Sequence, residues 1–427
     1  MGSITTALMS VPRAQRAQRG LILTFFVHGI ISLAYIPRIP ELISQINVNF
    51  TQWGLILGFA ALGGMLPLFF ANRLVMRFGT RPIMRFGFST AALSLAAYGF
   101  THSGWAFGIA TFAFALFNSL FNNSLQAQSV MYQDRVGRVV LGKMHASWSI
   151  GAFCSSLVSG LLAKYIPLNI FLLAIGLVTM VSFLIISNLL LKPAEDGHTD
   201  EKKVSKNIPF FKSPARLWLL AAGLFCAVIP EGSMMDWSAV FAKRELFQGI
   251  ATVGIPYTAF SLCMIVGRLS VSRFTRRMNI ATLGKWAALF GATFMALGAF
   301  IGPALATQDR TAGIVVTAVL WGLAGLGAGP MVPTFFSSAG SIKGMPTSQT
   351  MARMALITST TMLVAKIIMG AIAQGISVQI AYVFPIVGFF TAAILAAAVV
   401  NGSSPVSPET VLTDAYPATS PVGVIRD

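Results

Sequence analysis

The chain reads as an all-α integral membrane protein of twelve transmembrane helices, and three observations carry that reading. Long apolar stretches recur twelve times, one charged segment divides them six and six, and an arginine-rich loop appears once in each half. With hydrophobic residues at 55% and charged residues at 10% of 427 positions, the apolar surface exceeds what one water-soluble core hides, so lipid is the missing solvent. A hydrocarbon layer of about 30 Å takes roughly 20 apolar residues per helix, close to the size of each stretch.

The amino-terminal tail, 1–19, carries Arg13, Arg16 and Arg19 ahead of the first span, 20–36. It looks like a signal n-region, yet no small-residue cleavage site comes before Pro37 and more spans follow, so this helix is expected to stay. His28 lies near its middle, where a neutral imidazole both donates and accepts. The second span, 53–70, leads to the loop Arg77-Phe78-Gly79-Thr80-Arg81, and the third, 83–100, follows at once. In the fourth, 105–130, Asn118, Asn122 and Gln126 recur at i, i+4 and i+8 and form a slowly drifting polar stripe. Such carboxamides bind hydroxyls or amides of a solute, or else glue helices together. The fifth span, 146–163, has His145 at its start and Trp148 a turn deeper; the sixth is 169–191.

Between Lys192 and Arg216 the periodicity stops and Glu195, Asp196, Asp200, Glu201, Lys202, Lys203, Lys206 and Lys212 gather. Residues 192–215 therefore read as a linker between two six-helix units, 20–191 and 216–400. The seventh span, 217–242, holds Glu231 and Asp236, the two acids among the chain's 13 that fall inside spans. Glu231 lies at roughly 22 Å of rise from the helix start, past the midplane. A carboxyl held away from water favours its neutral form, which suits loading and release of a proton. Asp236, about 140° further around the helix and nearer the outer surface, suits an outer gate or a helix end better than shared proton chemistry.

The eighth span, 250–271, runs into Arg273-Phe274-Thr275-Arg276-Arg277, the counterpart of the first arginine loop 196 residues on, and a duplicated six-helix unit explains it. The ninth span is 281–301. The tenth, 312–337, contains Trp321, Gly322, Gly325, Gly327, Gly329, Pro330 and Pro333, a content that lipid tolerates and that suits a gating bend. The eleventh, 351–374, includes Arg353 and, deeper, Lys366, expected to pair with Glu231, to attract an anionic solute, or to reach the outer interface with its stem. The twelfth is 378–400, and the tail 401–427, with four prolines, reads as disordered.

The net charge of +17 suggests nucleic acid until the charges are placed. With a cytoplasmic amino terminus the outer loops hold Arg38, Lys164, Lys243, Arg244 and Arg310, Arg353 and Lys366 fall within spans, and the other basic residues lie inside, as the positive-inside rule asks. Cys154, Cys226 and Cys263 have no metal-ligand spacing and read as small apolar residues within spans. No nucleotide-binding loop, zinc spacing or catalytic triad pattern is seen, so neither an enzyme nor a cofactor is expected.

At the two arginine loops the chain resembles the major facilitator superfamily, whose loop reads Gly-x-x-x-Asp-Arg-x-Gly-Arg-Arg. Arg77, Gly79 and Arg81 fit it, as do Arg273, Arg276 and Arg277; Met76 and Ser272 stand in place of the motif's acid, and Asn72 and Arg268 in place of its first glycine. The stretches 37–40, 145–152, 231–238 and 325–330 are similar to the fucose-permease-like bacterial branch, although Lys366 falls where that branch commonly has a proline pair. The resemblance implies two pseudo-symmetric bundles around a central cavity, working by alternating access.

Together these readings predict a secondary transporter of a small organic solute, with protons and the lipid bilayer as expected partners, acting as a monomer in the cell inner membrane with both termini cytoplasmic. Glu231 and Asp236 are the expected proton-coupling residues. His28, Asn118, Asn122, Gln126, Trp148, Trp237, Trp321 and Lys366 are the expected solute site, and Arg77, Arg81, Arg273 and Arg277 the gate. A proton-driven exporter of amphiphilic compounds and a non-transporting sensor on the same scaffold are the alternatives.

Overall fold

The computed structural model describes residues 11–136, 140–196, 214–340, 342 and 347–400. The carboxy-terminal tail 401–427 and most of the linker lie outside the described residues. Every element is helical. The first half comprises α1 (Val11–Leu33), α2 (Ile39–Gln45), α3 (Phe50–Met65), α4 (Pro67–Phe78), α5 (Thr80–Tyr98), α6 (Gly104–Val136), α7 (Leu141–Leu162) and α8 (Leu168–Ile186). The second comprises α9 (Ala215–Arg244), α10 (Ile255–Phe274), α11 (Ile280–Ala306), α12 (Arg310–Gly340), α13 (Thr347–Gly375), α14 (Val378–Ala381) and α15 (Val383–Val400). The pairs α1–α2, α3–α4 and α14–α15 each make one crossing, which gives six crossings per half.

Among the described residues nine of the crossings are long and apolar enough to span a membrane unaided. The others, α5, α7 and α10, carry arginines or a serine-rich face, and α7 and α10 are also the helices that meet across the centre of the molecule. Large apolar side chains such as Ile109, Ile185 and Ile394 face outward, as a lipid-facing surface requires. Trp105 and Tyr165 are exposed near helix ends, where amphipathic rings settle at a membrane interface. Cys154, expected among buried residues, is exposed on the same apolar surface.

Helix ends follow local chemistry. Asn49 accepts from Gln52 N while the Gln52 side chain answers Asn49 N, a reciprocal cap that starts α3. Pro67 starts α4 because it brings no N–H to continue α3. Gly79 sits at φ 80° between α4 and α5, a conformation for which glycine pays no side-chain penalty. Arg38, fully buried at the α1–α2 bend, forks onto Glu41 and donates to the Ile166 carbonyl at 3.1 Å.

The halves repeat one packing scheme: α1 lies on α7 as α9 lies on α13, α5 on α6 as α11 on α12, α3 on α6 as α10 on α12, and α5 on α8 as α11 on α15. Glycines allow the closest crossings. A Cβ on Gly29 would stand 2.1 Å from the Trp148 carbonyl, and one on Gly325 the same distance from that of Phe260. The glycines of α12 thus serve packing, and the helix runs unbroken through Pro330 and Pro333. Across the interface α3 meets α13 and α7 meets α10.

The arginine loop of the first half has an acid after all, supplied from far along the chain. Asp196 is fully buried and accepts from both the N–H and the hydroxyl of Thr80, each at 2.8 Å, at the start of α5. Gln128 donates to the same hydroxyl at 2.6 Å. Next to it Glu195 accepts from Arg13 at 2.6 Å, and that guanidinium holds its carboxyl down to about 2. Residues 192–196, read from sequence as the start of the linker, are therefore docked on the first bundle.

Candidate functional site

A cavity of about 800 Å³ lies between the two bundles. Its floor is aromatic: Trp53 stacks on Phe107 at 5.4 Å, and Tyr98 meets Phe107 and Tyr35 edge-on at 4.9 and 5.6 Å. Beyond the floor the bundles touch. Phe50 N donates to the Gln374 carboxamide at 3.0 Å, and a Cβ on Gly54 would stand 3.0 Å from Gly370 Cα. At the other end the lining includes Gln126, His145, Ala146 and Arg268, of which His145 and Ala146 are exposed. The cavity therefore opens toward the end of the molecule that carries the amino terminus and the linker.

The wall given by the first bundle gathers most of the residues picked from sequence. His28, Asn118, Asn122, Gln126 and Trp148 all line the cavity. His28 Nε2 lies 3.1 Å from Asn118 Oδ1, so Nε2–H donates and Nδ1 is left as an acceptor. That Nδ1 is buried and has no protein partner, on a ring packed edge-on against Phe121 at 5.0 Å. The i, i+4, i+8 stripe thus faces the cavity.

The wall given by the second bundle is ionic. Lys366 lines the cavity, and its Nζ donates to Asp236 Oδ2 at 2.5 Å. Arg268 also lines it and donates to Glu231 Oε2 at 2.8 Å. Lys366 thus pairs with Asp236 and not with Glu231. The 140° between the two acids explains this: α9 packs on both α10 and α13, and each acid turns to one neighbour. Asp236, expected near an outer gate or helix end, is buried with its side chain 3% exposed, while Glu231 is a third exposed.

Two expected residues lie elsewhere. Trp321 is fully buried in the second bundle, donates its indole N–H to the Met295 carbonyl at 3.1 Å and stacks on Tyr382 at 4.7 Å. Trp237, also fully buried, meets Phe50 edge-on at 6.0 Å where the bundles close. Trp321 fills packed space inside the second bundle and Trp237 packs at the seam, and neither borders the cavity. The loop arginines lie at the open end: Arg77, Arg273 and Arg277 are exposed, and Arg81 donates to the Asn188 carboxamide at 2.7 Å.

Arg268, Tyr35 and Trp53 were missed from sequence. Arg268 had a signal, since it falls inside the eighth span and replaces the motif's glycine; reading it as a loop residue hid it. Tyr35 and Trp53 had none, being two aromatics among many.

The family model for the Major Facilitator Superfamily matches residues 21–348. An uncharacterized MFS-type transporter of Yersinia pestis is 27% identical over 366 residues, covering 84% of this chain and 90% of the relative. Membrane protein MosC of Rhizobium meliloti is 23% identical over 371 residues, 84% of each chain. Among solved structures, the nucleoside transporter NupG superposes with a TM-score of 0.73 at 11% identity, over 90% of this chain and 99% of its own. A bacterial homolog of the human lysosomal transporter Spinster, inward-facing and occupied, gives 0.68 at 13% identity, over 92% and 98%. With a family match over most of its length and the two-bundle fold of those transporters, the chain belongs to the major facilitator superfamily of membrane transporters and is not an enzyme.

Proposed function

We propose that the chain is a proton-coupled secondary transporter of a small polar organic solute in the cytoplasmic membrane, and that the observed conformation is open to the cytoplasm. The observation that carries this reading is the pair Glu231–Arg268, a carboxylate held by a guanidinium that itself lines the cavity between the bundles. Protonation of Glu231 would weaken that pair, and the free energy of the pair therefore depends on proton supply from the open side. Asp236 repeats the arrangement with Lys366 closer to the closed end.

On the facing wall His28, Asn118, Asn122, Gln126 and Trp148 would hold the solute. The carboxamide stripe supports hydroxyl or amide groups on it. Arg77, Arg81, Arg273 and Arg277 would mark the cytoplasmic face and shape the inner gate. Transport then requires that solute and proton favour one conformation over the other, since a ligand that binds both equally moves no equilibrium.

Accumulation in membrane vesicles tests the coupling. Glu231→Gln should abolish solute accumulation driven by a pH gradient and spare solute exchange; undiminished accumulation would refute the role. Right-side-out against inside-out vesicles gives the direction.

A further inference from the structure

In both ion pairs the cation is the partner that lines the cavity; Asp236 stands behind its lysine, and Glu231 flanks its arginine, a third exposed. Arg268 and Lys366 line the cavity, and neither Glu231 nor Asp236 does. Asp236 opens instead on a small crevice inside the second bundle, beside Ser233, Trp237 and Met362. No carboxylate lines the cavity among the described residues, so two positive groups confront neutral hydrogen-bonding ones.

Resting on the proton-coupled reading above, we propose that the solute is an organic carboxylate carrying hydroxyl or ring substituents, and that its carboxylate takes the place of an internal one when a proton neutralises the latter. While Glu231 is ionised, Arg268 has its counter-ion. Once Glu231 is protonated, the cavity-lining guanidinium has lost it, and an entering carboxylate restores a charge-assisted, two-pronged contact. The same exchange serves Lys366 and Asp236. A neutral polyol has no use for either cation.

The proton and the anion enter together, so the charge of the site is unchanged. Around these groups the other titratable side chains are Tyr35, Tyr257 and Tyr382 about the two acids and His145 beside Arg268, and none of them supplies a competing carboxylate. The body of the solute would rest between the carboxamide stripe and the aromatic floor.

Binding to the full-length protein in nanodiscs, read by tryptophan fluorescence, tests this with two matched pairs: glucuronate against glucose, and 4-hydroxybenzoate against 4-hydroxybenzyl alcohol. At least one acid should bind about tenfold or more tightly than its neutral partner, with affinity rising as the pH is lowered. Glu231→Gln or Asp236→Asn should bind that acid at least as tightly as the native protein and flatten its pH dependence. Arg268→Gln or Lys366→Gln should erase the preference for the acid. Equal binding of acid and alcohol or sugar, binding of neither acid, or weaker acid binding in Glu231→Gln and Asp236→Asn would overturn the proposal.

The pH profile of the native protein decides even where a variant does not fold. Gradient-driven uptake of a neutral member alone would overturn the anionic substrate and leave proton coupling standing. Acid-selective binding with uptake indifferent to the gradient would uphold the anion site and overturn the coupling.

Discussion

At the scale of single residues, the site separates groups that face the cavity from groups that fill the core, and paired substitutions distinguish them. Asn118→Ala removes the acceptor that fixes the His28 ring, so solute affinity should fall by about tenfold while thermal stability changes little. Trp321→Phe should do the reverse: it loses the bond to the Met295 carbonyl, costs about 1 kcal/mol of stability and leaves solute affinity unchanged. Equal effects of the two on affinity would contradict the assignment of Trp321 to the core. His28, Asn118, Asn122, Gln126, Trp148 and Lys366 were legible because a polar group in a lipid-length helix is costly and must face water, a partner or a solute. Which partner each charge takes was not legible. That depends on which helix packs on which face of α9, and linear spacing gives the angle between Glu231 and Asp236 but not the neighbours.

At the scale of elements, the start of α5 shows how a helix end is completed by residues remote in sequence. Asp196 caps it through Thr80, with a carboxylate at the positive end of the helix dipole. Asp196→Ala should cost about 1 kcal/mol and speed amide exchange at the first turn of α5, and an unchanged exchange rate there would reject the cap. The neighbouring contact adds a pH signature. Glu195 is lowered from an ordinary carboxylate value to about 2 by Arg13, so its stabilising contribution is full above about pH 4.5 and fades as the pH falls toward 2. Arg13→Gln should remove that acid sensitivity. From sequence the acids at 195 and 196 looked like ordinary linker charges, since nothing local marks a carboxylate that folds back onto a loop more than a hundred residues earlier. The twelve crossings, by contrast, were readable, because hydrocarbon thickness imposes a length on each of them.

At the scale of the whole molecule, the duplicated arginine loops foretold the repeated packing of the halves, while the conformation in which the halves meet was beyond the sequence. The contact near Gly54 and Gly370 offers a handle on it. A Cβ at Gly54 would stand 2.6 Å from the Lys366 carbonyl, so Gly54→Val should wedge the closed end apart and reduce turnover at least about tenfold. Labelling of a cysteine placed at Asn122 from the amino-terminal side should slow in the same variant, and unaltered labelling would show that this seam does not hold the closed end shut. The two walls of the cavity carry a different consequence. Ionic groups sit on one repeat and neutral hydrogen-bonding groups on the other, so the ancestral copies have specialised apart. On the proposed reading, mutations in the first repeat would retarget such a carrier to a differently substituted cargo, while the ion pairs of the second repeat would be inherited untouched.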